Sequence, residues 1–293
     1  MALIKLIRVY LKDWALFAAI LAPLSMFVEV FMDLMQPKLL ADIIDTGVAN
    51  GDLHYVLMVG AKMIGAACIG VIGGSACSFF TGYASVTMGT KLRQGLFDKI
   101  QSLSFAEIDH FKTSSLITRL TNDVNQVQHM LQMILRGAVR APLLCVGGII
   151  MAYAASPKLS LILVIALPIL LVAVLLIIGK SYPLFARVQE MLDSINRVMR
   201  ESILGVRVVK ALTIEHIQQE KFESANGSLQ QANIKAQDMN MILWPIVPLA
   251  MNLGVVAVLW FGGYMVNRGE LEVGKVMAFT NYLMQIMGSL IFL

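Results

Sequence analysis

The stretch FKTSSLITRLTNDVNQVQ, Phe111 to Gln128, decides how the rest of the chain is read. It carries Arg119, Asp123 and a run of Thr, Ser and Asn, in a protein of 293 residues that is 58% hydrophobic and only 14% charged. Its apolar residues still keep time: Leu116, Leu120, Val124, Val127 and Leu131 recur three or four apart, which is one stripe of an amphipathic helix. Thr113, Ser114 and Ser115 suit the start of such a helix, because their oxygens accept from first-turn amides that have no partner within the helix. Leu116 onward is expected to pack, leaving Arg119 and Asp123 to meet water or each other. A polar helix of this length needs a place outside lipid.

Around it the chain is built for lipid. The mean hydropathy is +0.74, and the apolar residues come in blocks at about 14–40, 55–80, 135–155, 159–179, 242–266 and 273–293. Each is about 20 residues or more, enough to cross a hydrocarbon core of roughly 30 Å. Six spans are expected, with residues 1–13 as an elbow ahead of them. The basic residues Lys5, Arg8 and Lys12 invite comparison with a secretory leader. The apolar run that follows is too long for one, contains Glu29 and Asp33, and lacks a small-residue cleavage site. It is read as the first membrane helix.

Charge gives the expected orientation. Lys and Arg gather before the first span, between spans two and three (Lys91, Arg93, Lys99, Lys112, Arg119, Arg136, Arg140) and between spans four and five (among them Lys180, Arg187, Arg207 and Lys235). The opposite side has Lys158, Arg268 and Lys275. The positive-inside bias puts the N-terminus and both long segments, about 81–134 and 180–241, in the cytoplasm. Acids such as Asp98, Glu107, Glu190 and Glu220 are mixed in, so this is no nucleic-acid footprint. Cys68, Cys77 and Cys145 lie in apolar segments, with neither disulfide parity nor metal spacing. The four histidines show no ligand spacing, and no nucleophile–base pair stands out, so no catalytic or metal site is expected in this chain.

The internal segments are helical in pattern. From Tyr55 to about Leu103 there is no proline and no turn cluster, which makes a helix of roughly 70 Å at 1.5 Å per residue. Ser115 to Ala155, Leu159 to Leu212 (kinked at Pro168 and Pro183) and Glu223 to Val266 extend similarly. These helices continue as stalks beyond the lipid. Their tips, LSFAEIDHF (Leu103–Phe111) and ALTIEHIQQEKF (Ala211–Phe222), are short, with an apolar face and mixed charges suited to a groove of another domain.

At these residues the chain resembles the transmembrane domain of ATP-binding cassette exporters. SFAEIDHFKTSSLITRLTNDVNQVQ, with Thr118, Arg119, Leu120, Asp123 and Val124, is similar to the family's first intracellular loop. RESILGVRVVKALTIEHIQQEKF, with Glu201, Gly205, Val209, Lys210, Ala211, Glu215 and Phe222, is similar to the second. QPKLLADIIDTGV resembles the outer end of the first helix. Ser114 stands where many members have glycine, and Leu212 where many have phenylalanine. The wording is closest to one half of heterodimeric bacterial multidrug exporters. The resemblance implies an all-α membrane protein: six long transmembrane helices with cytoplasmic extensions, the type I exporter (type IV transporter) fold. It also implies coupling-helix contacts at Phe105, Ile108, Asp109 and His110, and at Thr213, Ile214, Glu215 and Ile217. No phosphate-binding G-x-x-x-x-G-K-[ST] loop occurs, so ATP and Mg are expected in nucleotide-binding domains outside this chain. The expected partners are those domains, a second transmembrane half, the bilayer of a bacterial cell membrane and small hydrophobic solutes.

Glu29, Asp33 and Gln36 on the first span, and Asn281, Met284, Gln285 and Met287 on the sixth, are the candidates for a substrate cavity. A carboxylate at bilayer depth is costly, about 2.5–3.5 kcal/mol on insertion scales, so such groups face a cavity or a partner. Lys38, one turn further out, is the candidate partner of Asp33. If the acids face a cavity instead, they favour a cationic solute. Met284 and its neighbours are either an adaptable solute-binding face or ordinary packing. Ala66, Gly70, Gly74, Ser78 and Gly82 recur every four residues, as a ridge for close helix contact. Export of a peptide or lipid, a non-transporting regulatory subunit, and a secondary transporter are the other functions the sequence admits. The last would need inverted repeats and broken helices rather than stalks.

Overall fold

A computed structural model describes residues 9–11, 14–111 and 113–290, the side chains of 105, 109 and 110 excepted. Most of the expected elbow and the last three residues of the sixth block lie outside the described residues. Every described element is helical. In chain order they are α1 (Trp14–Asp42, continued by a π-helical turn Ile43–Val48), α2 (Leu53–Gln101), α3 (Phe105–Phe111), α4 (Thr113–Thr118, continued by a π-helical turn Arg119–Asp123) and α5 (Val124–Ala155). There follow α6 (Ser160–Leu204), α7 (Val206–Leu212), α8 (Glu215–Met241), α9 (Leu243–Asn267) and α10 (Val273–Leu290). Five helical runs are long and apolar enough to cross a membrane: Trp14–Val48, Leu53–Gln101, Thr113–Ala155, Ser160–Leu204 and Glu215–Asn267. The protein is a multi-pass membrane protein.

Helix α10 is different in kind. Its 18 residues make roughly 27 Å of helix, and they include Lys275, Asn281 and Gln285. It is nonetheless the most enclosed helix of the fold, with Phe279, Tyr282, Leu283, Ile286 and Met287 no more than 1% exposed. A span wrapped by other helices does not need the uniform hydrophobicity that lipid demands.

By its contacts the chain divides into two compact units, 1–163 with 255–293, and 164–254. In the first, α1 packs most extensively on α2, and α1, α2 and α10 all pack on α5. The apolar stripe is the packed face of the polar segment: Leu116, Val124 and Leu131 are buried, with Leu120 and Val127 half-buried between them. Leu131 joins Leu11, Ala15, Ala18, Ala84 and Met88 in one apolar cluster. Arg119 and Asp123 do not pair with each other. The Arg119 guanidinium lies 5.4 Å from the Phe111 ring centre, which offers the negative face of a π system.

Small residues set the α1–α2 distance, with a different distribution from the expected ridge. Gly70, Gly73, Cys77, Thr81, Ala84 and Met88 are the buried face of α2. A Cβ at Gly73 would stand 3.1 Å from both the Glu29 amide nitrogen and the Ser25 carbonyl oxygen. Ser78 is exposed and Gly82 has open space beside it. Of the cysteines, Cys68 is exposed, Cys77 buried and Cys145 intermediate.

At the end of α1 the π-helical turn redirects Asp45, whose Oδ1 accepts from the Gly274 amide at 2.5 Å. The first turn of α10 is thus seated on α1, where an anion also meets the positive end of the helix dipole. Gly274 lies so close that an added Cβ would stand 2.5 Å from the Ala41 carbonyl oxygen. Backbone cannot swing aside as a side chain can. Gly274→Ala is therefore expected to destabilise the protein by about 1–3 kcal/mol, the range for overpacking. Thermal unfolding of the purified protein in detergent measures it, and an unshifted midpoint would show that the two helices part easily.

In the second unit α6 runs unbroken through Pro168 and Pro183. The break comes instead at Gly205, where a Cβ would lie 2.9 Å from the Glu201 carbonyl oxygen. Lys158 and Glu270, in the first unit's short connections, pair at 2.6 Å, which lowers the Glu270 pKa.

Candidate functional site

Helices α1, α2 and α5 line an open cavity of about 740 Å³ within the first unit, with charged side chains on two of its walls. The α1 wall supplies Glu29, Asp33 and Gln36, one face of the helix at i, i+4 and i+7. The α2 wall is nearly bare: Ala66, Gly70 and Gly74, with Ser75 and Ser78 at its polar edge. This is the second use of the small-residue pattern, since side chains at these positions would fill the space. A Cβ at Gly74 would lie 2.8 Å from Glu29 Oε2, so glycine there makes room for the carboxylate. Gln36 is already committed, donating from Nε2 to the Met63 carbonyl at 3.0 Å.

The α5 wall corrects two expectations. Arg136 and Arg140, counted from the sequence as loop charges, line the cavity. Arg140 Nη1 lies 2.5 Å from Glu29 Oε1 and its Nη2 lies 3.0 Å from Asp33 Oδ2. One guanidinium thus spans two carboxylates on successive turns of α1, a task suited to the rigid fork of arginine. Lys38 is not the partner of Asp33. The carboxylates do not wait unpaired for a cationic solute: the Arg140 guanidinium already offsets much of the cost of burying them. Glu29 Oε2 is buried with no hydrogen-bond partner among the described residues. The Glu29 side chain is 13% exposed, against 41% for Asp33 and 37% for Arg140.

The α10 candidates fall elsewhere. At 100° per residue, Phe279, Tyr282, Leu283, Ile286 and Met287 form one stripe, and Asn281, Met284, Gln285 and Gly288 the opposite one. Met287 is fully buried in that core, so it is a packing residue and not part of a cavity face. Asn281 and Met284 are exposed and Gln285 half-buried. The Asn281 amide donates to its own helix at the Met277 carbonyl, 3.0 Å away. Gln285 Oε1 is buried and unbonded among the described residues. None of the four lines the polar cavity. Tyr282 fixes this helix to α1 by donating its buried hydroxyl to the Leu34 carbonyl at 3.0 Å.

The two tips are built by local rules. Ser104 opens α3 as a capping box: its amide and hydroxyl both donate to Glu107 Oε2 at 2.8 Å, and the Glu107 amide donates back to Ser104 Oγ at 3.4 Å. The Ser104 amide, then its hydroxyl, hold the Glu107 pKa below its ordinary value. The S-x-x-E spacing was there to be read in SFAE. Ile108 is half-buried on this helix. The side chains of Phe105, Asp109 and His110 lie outside the described residues.

The second tip ends α7 in a Schellman motif: the Ile214 amide donates to the Val209 carbonyl at 3.1 Å and the Thr213 amide to Lys210 at 3.4 Å. Thr213 is therefore the turn residue, left-handed at φ 52 and ψ 43. That is an uncommon place for a β-branched side chain. Lys210 Nζ bridges the turn to Glu215 at 2.8 Å. Ile214 is half-buried, while Ile217 is 40% exposed. Val198, Ile203, Val206, Val209 and Phe222 line a groove of about 360 Å³ beside the turn.

Residues 19–290 match the family described as the ABC transporter transmembrane region. An uncharacterized ABC transporter ATP-binding protein of Bacillus subtilis strain 168 is 38% identical over 281 residues, which are 96% of this chain and 49% of that protein. One of Mycobacterium tuberculosis is 36% identical over 285 residues, 97% of this chain and 49% of its own length. A multidrug resistance ABC transporter ATP-binding and permease protein of Lactococcus lactis is 26% identical over 289 residues, 98% of this chain and 48% of its own. The chain spans about half the length of these curated relatives. With long apolar helices and a match over residues 19–290, the chain belongs to the ABC transporter transmembrane-region family.

Proposed function

We propose that this chain is the membrane-spanning half of an ATP-driven exporter, providing the pathway for hydrophobic or amphipathic solutes. The observation that carries the reading is the polar cavity walled by α1, α2 and α5 inside a membrane domain of this family. A polar space of this size among membrane helices favours a solute path over plain packing, since filling it with apolar side chains would stabilise the fold more. The relatives named as ATP-binding proteins support nucleotide-binding domains as partners, with ATP and Mg bound there. The tips at Phe105–Phe111 and Thr213–Ile217 are the surfaces that meet them, and a second transmembrane half, in a heterodimer, completes the path. The multidrug name of the Lactococcus relative supports a broad range of solutes.

The positive-inside bias sets the N-terminus, Arg207 and both tips in the cytoplasm, with His54 and Arg268 outside. Single cysteines at these positions in a cysteine-free background check this. His54→Cys should react with an impermeant maleimide on intact cells, and Arg207→Cys only after lysis. Arg207→Cys labelled from outside would overturn the orientation. The export reading is tested with the full-length protein in inverted vesicles: ATP-dependent uptake of amphipathic dyes supports it, and ATP hydrolysis with no solute moved under any of them counts against it.

A further inference from the structure

The cavity's charges are balanced in sum but divided in space. One guanidinium faces two carboxylates in the Glu29–Arg140–Asp33 cluster, which leaves that cluster a formal charge of −1. The compensating charge is Arg136. It lines the same cavity, is exposed, and has no hydrogen-bond or ion-pair partner among the described residues. Four residues before Arg140 on α5, it shares that helix face, with Cβ atoms about 6 Å apart. An arginine within an apolar helix is costly unless water or an anion meets it. The negative pole has one open end. Asp33 Oδ2 takes the guanidinium, and its side chain keeps 41% exposure while Glu29 keeps 13%.

A single cation here would satisfy Asp33 and be repelled by Arg136, and a single anion would meet the reverse. A ligand carrying both charges satisfies both poles. Beside them the α2 wall is small and apolar at Ala66, Ala67 and Val71, a surface for hydrocarbon and not for a second polar group. We infer that the cavity holds the headgroup of a zwitterionic amphiphile, its cationic group on Asp33, its anionic group on Arg136 and its alkyl part against α2. The inference rests on the cavity being part of the solute path and narrows what enters it. Both a membrane lipid and a soluble amphiphile carry this chemistry.

The test is binding, measured on full-length protein in nanodiscs of phosphatidylglycerol. Four dodecyl compounds are titrated below their micelle concentrations: phosphocholine, trimethylammonium, sulfate and maltoside. The phosphocholine should bind about 10-fold tighter than the other three, as one added charge contact of moderate strength implies. Arg136→Gln leaves the cavity negative and should move the trimethylammonium compound to the top of the order. Asp33→Asn leaves it positive and should move the sulfate there. Arg136 is exposed, so its variant remains informative should the Asp33 variant misfold. No preference in the wild type, or an order that Arg136→Gln leaves unchanged, overturns the proposal. Repeating the titration in phosphatidylcholine discs identifies the source. Phosphocholine binding weakened by the discs marks the lipid as occupant, and unweakened binding marks a soluble one. The readout needs neither ATP nor transport, so a protein with the expected charge order that moves no solute argues against export and leaves this site standing.

Discussion

Arg140→Leu is expected to cost the protein about 2–4 kcal/mol of stability. Removing one partner of a buried ion pair typically costs about 3–5 kcal/mol, because the remaining charge is left without compensation. The lower figure applies here because Arg140 and Asp33 keep 37% and 41% exposure and water screens part of the loss. Glu29 would suffer most, being 13% exposed with its second oxygen already unbonded. The variant combining Arg140→Leu with Glu29→Gln and Asp33→Asn should recover most of the loss, because no carboxylate is left without its guanidinium and the remaining charge, Arg136, is exposed to water. Asp33→Asn alone should be the mildest change. Thermal unfolding in detergent and yield from the membrane fraction measure all three against the wild type. If Arg140→Leu melts with the wild type, water rather than the guanidinium neutralises the acids.

The second large effect is expected at the tips. Ile214→Asp in the full-length protein should cut transport and solute-stimulated ATPase by roughly 30-fold, since losing an interface anchor costs about 2 kcal/mol or more. Ile214 is half-buried beside Val209 where the Schellman turn brings the chain round. A carboxylate there loses the apolar contact and carries a charge into whatever groove receives the tip. The backbone bonds of the turn do not depend on this side chain, so the protein should still reach the membrane. Ile108→Asp should act likewise at the first tip, held in shape by the Ser104–Glu107 capping box. Normal transport in both variants, with ATPase still responding to solute, would remove the tips from the coupling path.

Much of the fold was legible because it depends on short-range regularity. The stripe Leu116–Leu131 is a matter of helical period, and it survives as the packed face. The long apolar runs follow from the bilayer's thickness. Glu29, Asp33 and Gln36 could be picked out because polar groups at that depth need a reason. Helix ends were harder: α6 continues through Pro168 and Pro183, and the interruption falls at Gly205, which caps the start of α7.

What only the tertiary structure decided is which side chains meet across helices. Glu29 and Asp33 lie more than a hundred residues from Arg140, and an arginine near the end of an apolar run looks the same in sequence whether it faces the cytoplasm or a neighbouring carboxylate. Arg140 lies off the stripe of α5 that buries Leu131, Ala141 and Ala152, and only the packing of α1 on α5 brings it to the two carboxylates. Similarly, Met284 and Met287 are indistinguishable as residues, yet one is 41% exposed and the other fully buried, because α10 buries the stripe that carries Phe279 and Tyr282. Local sequence determines that a helix forms and which face is apolar. The ion pairs, the cavity and the enclosure of α10 depend on how several such faces are shared, and that balance belongs to the packing of the helices around them.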